Sequence, residues 1–236
     1  IQYAEHNLVK LPDSMDFITS ASLGCRYITA FRGLVYQGKI QSEQWVAVHG
    51  CGGVGLSAIQ IAKAFKARVI AIDINDDALK LAVSVGADYA VNPLKTVDII
   101  DEIQQLTSYG CHISMDCLGS TETCLNSILS LRKRGKHIQI GLMTGEHHSP
   151  SLPLDNVIAN ELEILGSHGM QASRYPQLLE MIEKGKLKPR KLVNKVISMD
   201  EVPNNLMTMN NNEHKGITIT AHRSKSLESD GYANST

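Results

Sequence analysis

Residues 45–73, WVAVHGCGGVGLSAIQIAKAFKARVIAID, constrain the fold more than any other stretch, because they read as strand, glycine turn, helix and second strand ending on a carboxylate. Trp45, Val46, Ala47, Val48 and His49 form a short apolar run. Gly50, Cys51, Gly52, Gly53, Val54 and Gly55 then fit G-x-G-x-x-G, in which Gly50 permits a tight turn, Gly52 lets backbone approach a pyrophosphate and Gly55 lets the helix sit close to the strand. Val54, Ala58, Ile61, Ala62 and Phe65 recur at helical spacing. The spacing predicts a helix with one face on a sheet and its first N–H groups free to receive an anion without a basic side chain. The second strand, 68–72, ends at Asp73, 18 residues beyond Gly55, where dinucleotide-binding folds place the carboxylate that accepts hydrogen bonds from a ribose. A carboxylate there repels a 2′-phosphate, and Ile74 stands where an arginine would welcome one, so NAD is expected rather than NADP.

The same alternation continues along the chain. Helices are expected from Asp76 to a stop at Gly86, over 97–106, over 121–131 and over 154–159. Strands are expected over 87–91, 113–117, 137–140 and 162–165. Six strands alternating with helices predict an α/β fold, a doubly wound six-stranded parallel sheet of the Rossmann type. Upstream, residues 1–12 read as one or two strands stopping at Pro12. Asp13 and Ser14 read as a cap for a helical region over 16–36 that is interrupted at Gly24, so that two helices meet near Cys25. Downstream, a helix over 175–183, a basic segment over 184–195, a strand near Val196, a short helix from Glu201 and a last strand over 217–220 suggest part of a second domain. The polar close reads as a disordered tail.

Composition narrows the function classes. A net charge of −1 gives no field to attract nucleic acid, and no apolar run approaches the roughly 20 residues that span a bilayer. Five cysteines, an odd number without C-x-x-C spacing and without a secretory leader, predict reduced thiols and a cytoplasmic protein. A chain that starts at Ile1 reads as a piece of a longer one.

The order of GCRYITA, HGCGGVGLSAIQIAKA, AIDINDDALKLAVSVGAD, MDCLG, QIGL and GSHGM resembles the zinc-dependent medium-chain alcohol dehydrogenases over roughly residues 1–220. The resemblance implies a division into the end of a GroES-like catalytic domain (1–26), an NAD-binding Rossmann domain (27–168), a C-terminal return to the catalytic domain (169–220) and the tail (221–236). It implies that Cys25 is a ligand of catalytic zinc and that Thr29 presses on the nicotinamide with Val54 behind the ring. By the same resemblance the backbone at Gly141, Leu142, Ser167 and Gly169 holds the carboxamide, beside pyrophosphate and ribose contacts from Gly50, Gly52, Gly53, Gly55 and Asp73. NAD and zinc are the implied cofactors, a small alcohol or aldehyde the implied substrate, and a homodimer or homotetramer the implied assembly. The family's other zinc ligands fall outside this chain, so zinc is not expected to be held by it alone, and the chain alone is expected to be inactive. Where the family often carries a pyrophosphate-binding arginine, His214 and Lys215 stand here. A zinc-free reductase of the quinone oxidoreductase type and a non-catalytic NAD-binding module are the alternatives; the first fits Cys25 and Asp73 poorly.

Other chemistry-bearing residues read as structural. His147 and His148 are adjacent in a polar loop, Cys111, Cys117 and Cys124 fall in core patterns, and the basic 184–195 segment reads as a solvated face. His168 follows the sixth strand at the ligand edge of such sheets, yet a hydrogen-bonded structural role is expected. Cys51, at a helix N-terminus that can acidify a thiol, is expected to be a packing residue.

Overall fold

The computed structural model describes residues 5–208 and 216–221. Six strands, β1 (Trp45–His49), β2 (Arg68–Ile72), β3 (Tyr89–Val91), β4 (Cys111–Asp116), β5 (Leu131–Gln139) and β6 (Glu163–Gly166), form one parallel sheet in the order β3-β2-β1-β4-β5-β6. The order reverses between β1 and β4, and the carboxyl ends of the strands at such a reversal are where open α/β sheets take ligands.

Helices α1 (Phe17–Ser22) and α2 (Ile28–Phe31) precede the sheet, and α3 (Gly53–Ala64), α4 (Asp76–Ser84), α5 (Ile99–Thr107), α6 (Thr121–Leu129) and α7 (Leu154–Ala159) are interleaved with it. Contacts of α3 with α4, and of α5 with α6, put one pair on each side of the sheet. The main core joins Val46, Val48, Val69 and Ile113 to Leu56, Ile59 and Ile61 of α3 and to Tyr27, Phe31 and Leu34 beyond it. A second cluster packs Ile99 and Ile103 of α5 on Ala47, Ile70 and Ile72 across the sheet. Each such fully buried aliphatic side chain contributes about 1.5–3 kcal/mol.

Helix α3 is buried nearly all round, at Leu56, Ser57, Ala58, Ile59, Gln60, Ile61 and Ala62, rather than on one face. Val54 and Phe65, expected on its sheet face, are only half-buried. The cause is a second layer: Tyr27, fully buried, donates its hydroxyl to Gln60 Oε1 at 3.0 Å, and Gln60 Nε2 donates to the Lys188 carbonyl at 3.0 Å. That layer includes α8 (Tyr175–Glu183) and a two-stranded parallel sheet of β7 (Val193–Ile197) and β8 (Ile217–Thr220), with α9 (Val202–Thr208) between them in sequence. Leu178, Leu192, Ile217 and Ile219 belong to the main core.

Several expectations are corrected. Among the described residues before Pro12 there is a 3-10 turn, Glu5–Asn7, and no strand. Asp16, not Asp13 or Ser14, caps α1, accepting from the Thr19 N–H at 2.8 Å and the Thr19 hydroxyl at 2.6 Å. Helix α6 stops at Leu129 and β5 begins at Leu131, well before the expected 137, because its first half is an irregular exposed stretch around Arg134, whose φ is 61°. The tail expected to be disordered lies outside the described residues apart from Ala221, as do His214 and Lys215. No helix of the described residues is long and apolar enough to cross a membrane.

Candidate functional site at the strand reversal

The glycine turn explains itself residue by residue. Gly50 has φ +92°, and a Cβ there would meet Leu118 Cβ at 3.3 Å, which places the end of β1 directly against the segment after β4. A Cβ on Gly55 would fall 1.9 Å from the Gly50 carbonyl oxygen, so this position admits only glycine while the turn and helix hold their contact. A Cβ on Gly52 would meet nothing within 4 Å. Open space therefore lies over the turn where backbone would approach an anion.

The caps point the same way. Helices α4, α5 and α6 satisfy their first N–H groups with Asn75, Asp98 and Ser120 side chains, whereas α3, like α7 and α8, has no side-chain cap, Gly52 standing before it. A helix that enters a ligand crevice with its first donors uncapped presents backbone N–H groups and the positive pole of its dipole to an anion.

Asp73 sits half-buried at the end of β2. Its Oδ2 accepts the Cys51 N–H at 2.7 Å and its Oδ1 accepts the Asn75 N–H at 2.8 Å. An ionised carboxylate has about four acceptor sites, so each oxygen keeps capacity for a ligand hydroxyl. Ile74, beside it, is 61% exposed.

On the other side of the reversal, Asp116 is fully buried at the end of β4. Its Oδ1 accepts the N–H groups of Leu118 and Gly119, both at 2.9 Å, and its Oδ2 accepts Gln139 Nε2 at 2.9 Å. A Cβ on Gly141 would lie 2.1 Å from the Gly119 nitrogen, so Gly141 is glycine because the ends of β4 and β5 touch. Sequence reasoning missed Asp116; the signal was a lone acid closing an apolar run. His49 is also buried there, its Nε2 without a partner among the described residues. Burial pulls His49 down to about 4, with Asp116 acting upward and His137 downward.

The remaining candidates come from separate segments. Leu142 is 68% exposed, Gly169 has φ +61° with open space at its Cβ position, and Ser167 is buried with an unpartnered hydroxyl. Thr29 is buried and its hydroxyl donates back to the Cys25 carbonyl. Cys25 is the exposed cysteine of the five, at a kink where Gly24 adopts φ −14°, ψ −144°. No group of three His, Cys, Asp or Glu that could hold a metal forms among the described residues.

The residues expected to be structural fall apart as ligands. His147 meets Thr121, while His148 Nδ1 meets the Gly145 carbonyl, so the two rings do not converge. His168 is exposed and its carbonyl accepts from Arg32 at 2.7 Å. Burial pushes the Cys51 thiol well above its ordinary range, overriding the helix terminus. Cys111 and Cys124 are buried and Cys117 is half-buried.

Residues 53–184 match the family described as zinc-binding dehydrogenase. An alcohol dehydrogenase of Geobacillus stearothermophilus is 32% identical over 77% of this chain and 52% of its own length. A quinone oxidoreductase of Pongo abelii is 30% identical over 69% of this chain and 48% of its own. The crystal structure of an NAD-dependent alcohol dehydrogenase superposes with a TM-score of 0.80 at 28% identity, over 92% of this chain and 62% of that one. The chain thus spans about half the length of the curated relatives it matches.

Proposed function

The chain belongs to the zinc-binding dehydrogenase family, and from that premise we propose that it is the coenzyme-holding part of an NAD-dependent dehydrogenase that interconverts alcohols with aldehydes or ketones. The observation that carries this reading is Asp73, tied to the glycine turn with acceptor capacity to spare. Asp73 accepts the ribose hydroxyls, Ile74 offers an apolar wall beyond it, and the uncapped N–H groups of α3 receive the pyrophosphate over Gly52. Gly141, Leu142, Ser167 and Gly169 line the far rim, where the nicotinamide end would lie, with Val54 and Thr29 on the near side. These residues would hold NAD, which would supply the hydride acceptor for oxidation of an alcohol.

Zinc is a different matter. Cys25 offers one exposed thiol, and one sulfur ligand does not make a zinc site. The described residues do not fit the ion on their own, so Cys25 is proposed as one ligand of a set that the described residues do not complete. The edge strand β6, which among the described residues pairs only with β5, is the surface proposed for self-association, and β7 with β8 the part proposed to return to a catalytic domain.

The quinone oxidoreductase relative supports a second reading, a zinc-free reductase. Cys25 and Asp73 weigh against it. Calorimetric titration of NADH into the chain tests the first reading: saturable binding that Asp73→Ala weakens about tenfold is expected, and no binding by the unaltered chain would remove it.

A further inference from the structure

Gly53 is the one glycine of the turn that the fingerprint does not require, and the structure shows what it accommodates. A Cβ on Gly53 would lie 2.3 Å from Arg26 Cδ, 3.2 Å from Arg26 Cγ and 3.4 Å from Arg26 Nε. The Arg26 stem therefore crosses the first residue of α3, and its guanidinium is carried to the rim of the helix N-terminus.

That placement is held from both sides. Arg26 lies in the kinked segment Leu23–Tyr27, between Leu23, 2% exposed, and Tyr27, which is fully buried and hydrogen-bonded to Gln60 of α3 itself. The segment and α3 are packed against each other. Arg26 is half-buried, and among the described residues its guanidinium makes no hydrogen bond or ion pair.

A fixed cation beside the positive pole of an uncapped helix is repelled unless an anion sits between them. The helix end supplies only about half an elementary charge, whereas both phosphates of a dinucleotide are anionic. Resting on the coenzyme reading above, we infer that Arg26 is a further coenzyme-binding residue that closes over the pyrophosphate from the side opposite the backbone N–H groups. The planar guanidinium suits this task, since it donates paired hydrogen bonds to phosphate oxygens. Gly53 is small so that the stem can pass.

Binding of ADP-ribose and of adenosine to the 236-residue chain, to Arg26→Gln and to Arg26→Lys separates the possibilities, with thermal melts confirming that each variant folds. Arg26→Gln keeps much of the stem, and should weaken ADP-ribose about tenfold or more while leaving adenosine within about twofold; Arg26→Lys should fall between. Unchanged ADP-ribose binding by Arg26→Gln would overturn the inference alone. A parallel loss of adenosine would also overturn it, by showing that Arg26 shapes the turn rather than meeting phosphate. Failure of the unaltered chain to bind either ligand would remove the coenzyme reading itself, and this inference with it.

Discussion

The Cys51 N–H donates to Asp73 Oδ2 at 2.7 Å, so the glycine turn after β1 and the acid that ends β2 are one hydrogen-bonded unit. The carboxylate proposed to meet the ribose is thereby held in place by the turn. Less ordering remains to be done on binding.

Two glycines of this turn should respond in opposite ways to alanine. Gly55→Ala drives a methyl to 1.9 Å from the Gly50 carbonyl oxygen, and should cost about 3 kcal/mol or more of stability. Gly52→Ala meets only open space, so its melting temperature should stay within a few degrees while NADH binding falls. Melting curves and NADH titrations on both variants check this; a Gly55→Ala that melts like the parent would contradict the packing account.

Much of this was legible in advance, and the reasons are local. Strands β1, β2 and β4 announced themselves because parallel strands buried on both faces read as apolar runs, and β2 and α7 begin and end where the spacing put them. The start of β5 did not, since Arg132, Lys133 and Arg134 are exposed and the register slips there. Asp73 could be found by counting from the turn. Arg26 and Asp116 could not, because which stem crosses Gly53, and which backbone N–H groups converge on one acid, depend on how distant segments meet.

Acid should destabilise the protein well before its carboxylates titrate. His49 is held near 4 in the folded state against about 6.5 when unfolded, so between those values the unfolded chain binds the extra proton. Stability should be fully present above pH 6.5 and fall as pH drops toward 4, by about 3 kcal/mol from this group. Burial also lowers His137, which acts in the same direction. Urea midpoints from pH 7.5 to 4.5 check this, with His49→Gln flattening the slope; a flat profile in the parent would show that His49 is not held neutral.

Thiol chemistry should single out Cys25. It is exposed, whereas burial raises the Cys51, Cys111, Cys117 and Cys124 thiols. A chromogenic disulfide reagent at pH 8 should titrate one thiol quickly in the native chain and five after denaturation. Two fast thiols, or a fast phase that survives Cys25→Ser, would contradict the burial assigned to the others.

The most direct test of the account is the choice between NADH and NADPH, because it rests on Asp73 and Ile74 alone. A 2′-phosphate would meet the Asp73 carboxylate in a partly desolvated crevice and displace the charge-assisted hydrogen bonds that a free hydroxyl makes. Fluorescence titration of the chain should show NADH binding at least about tenfold tighter than NADPH, and the double substitution Asp73→Ser with Ile74→Arg should shrink or invert that ratio. Equal or tighter binding of NADPH by the unmodified chain would contradict the assignment of Asp73 as the ribose-binding acid.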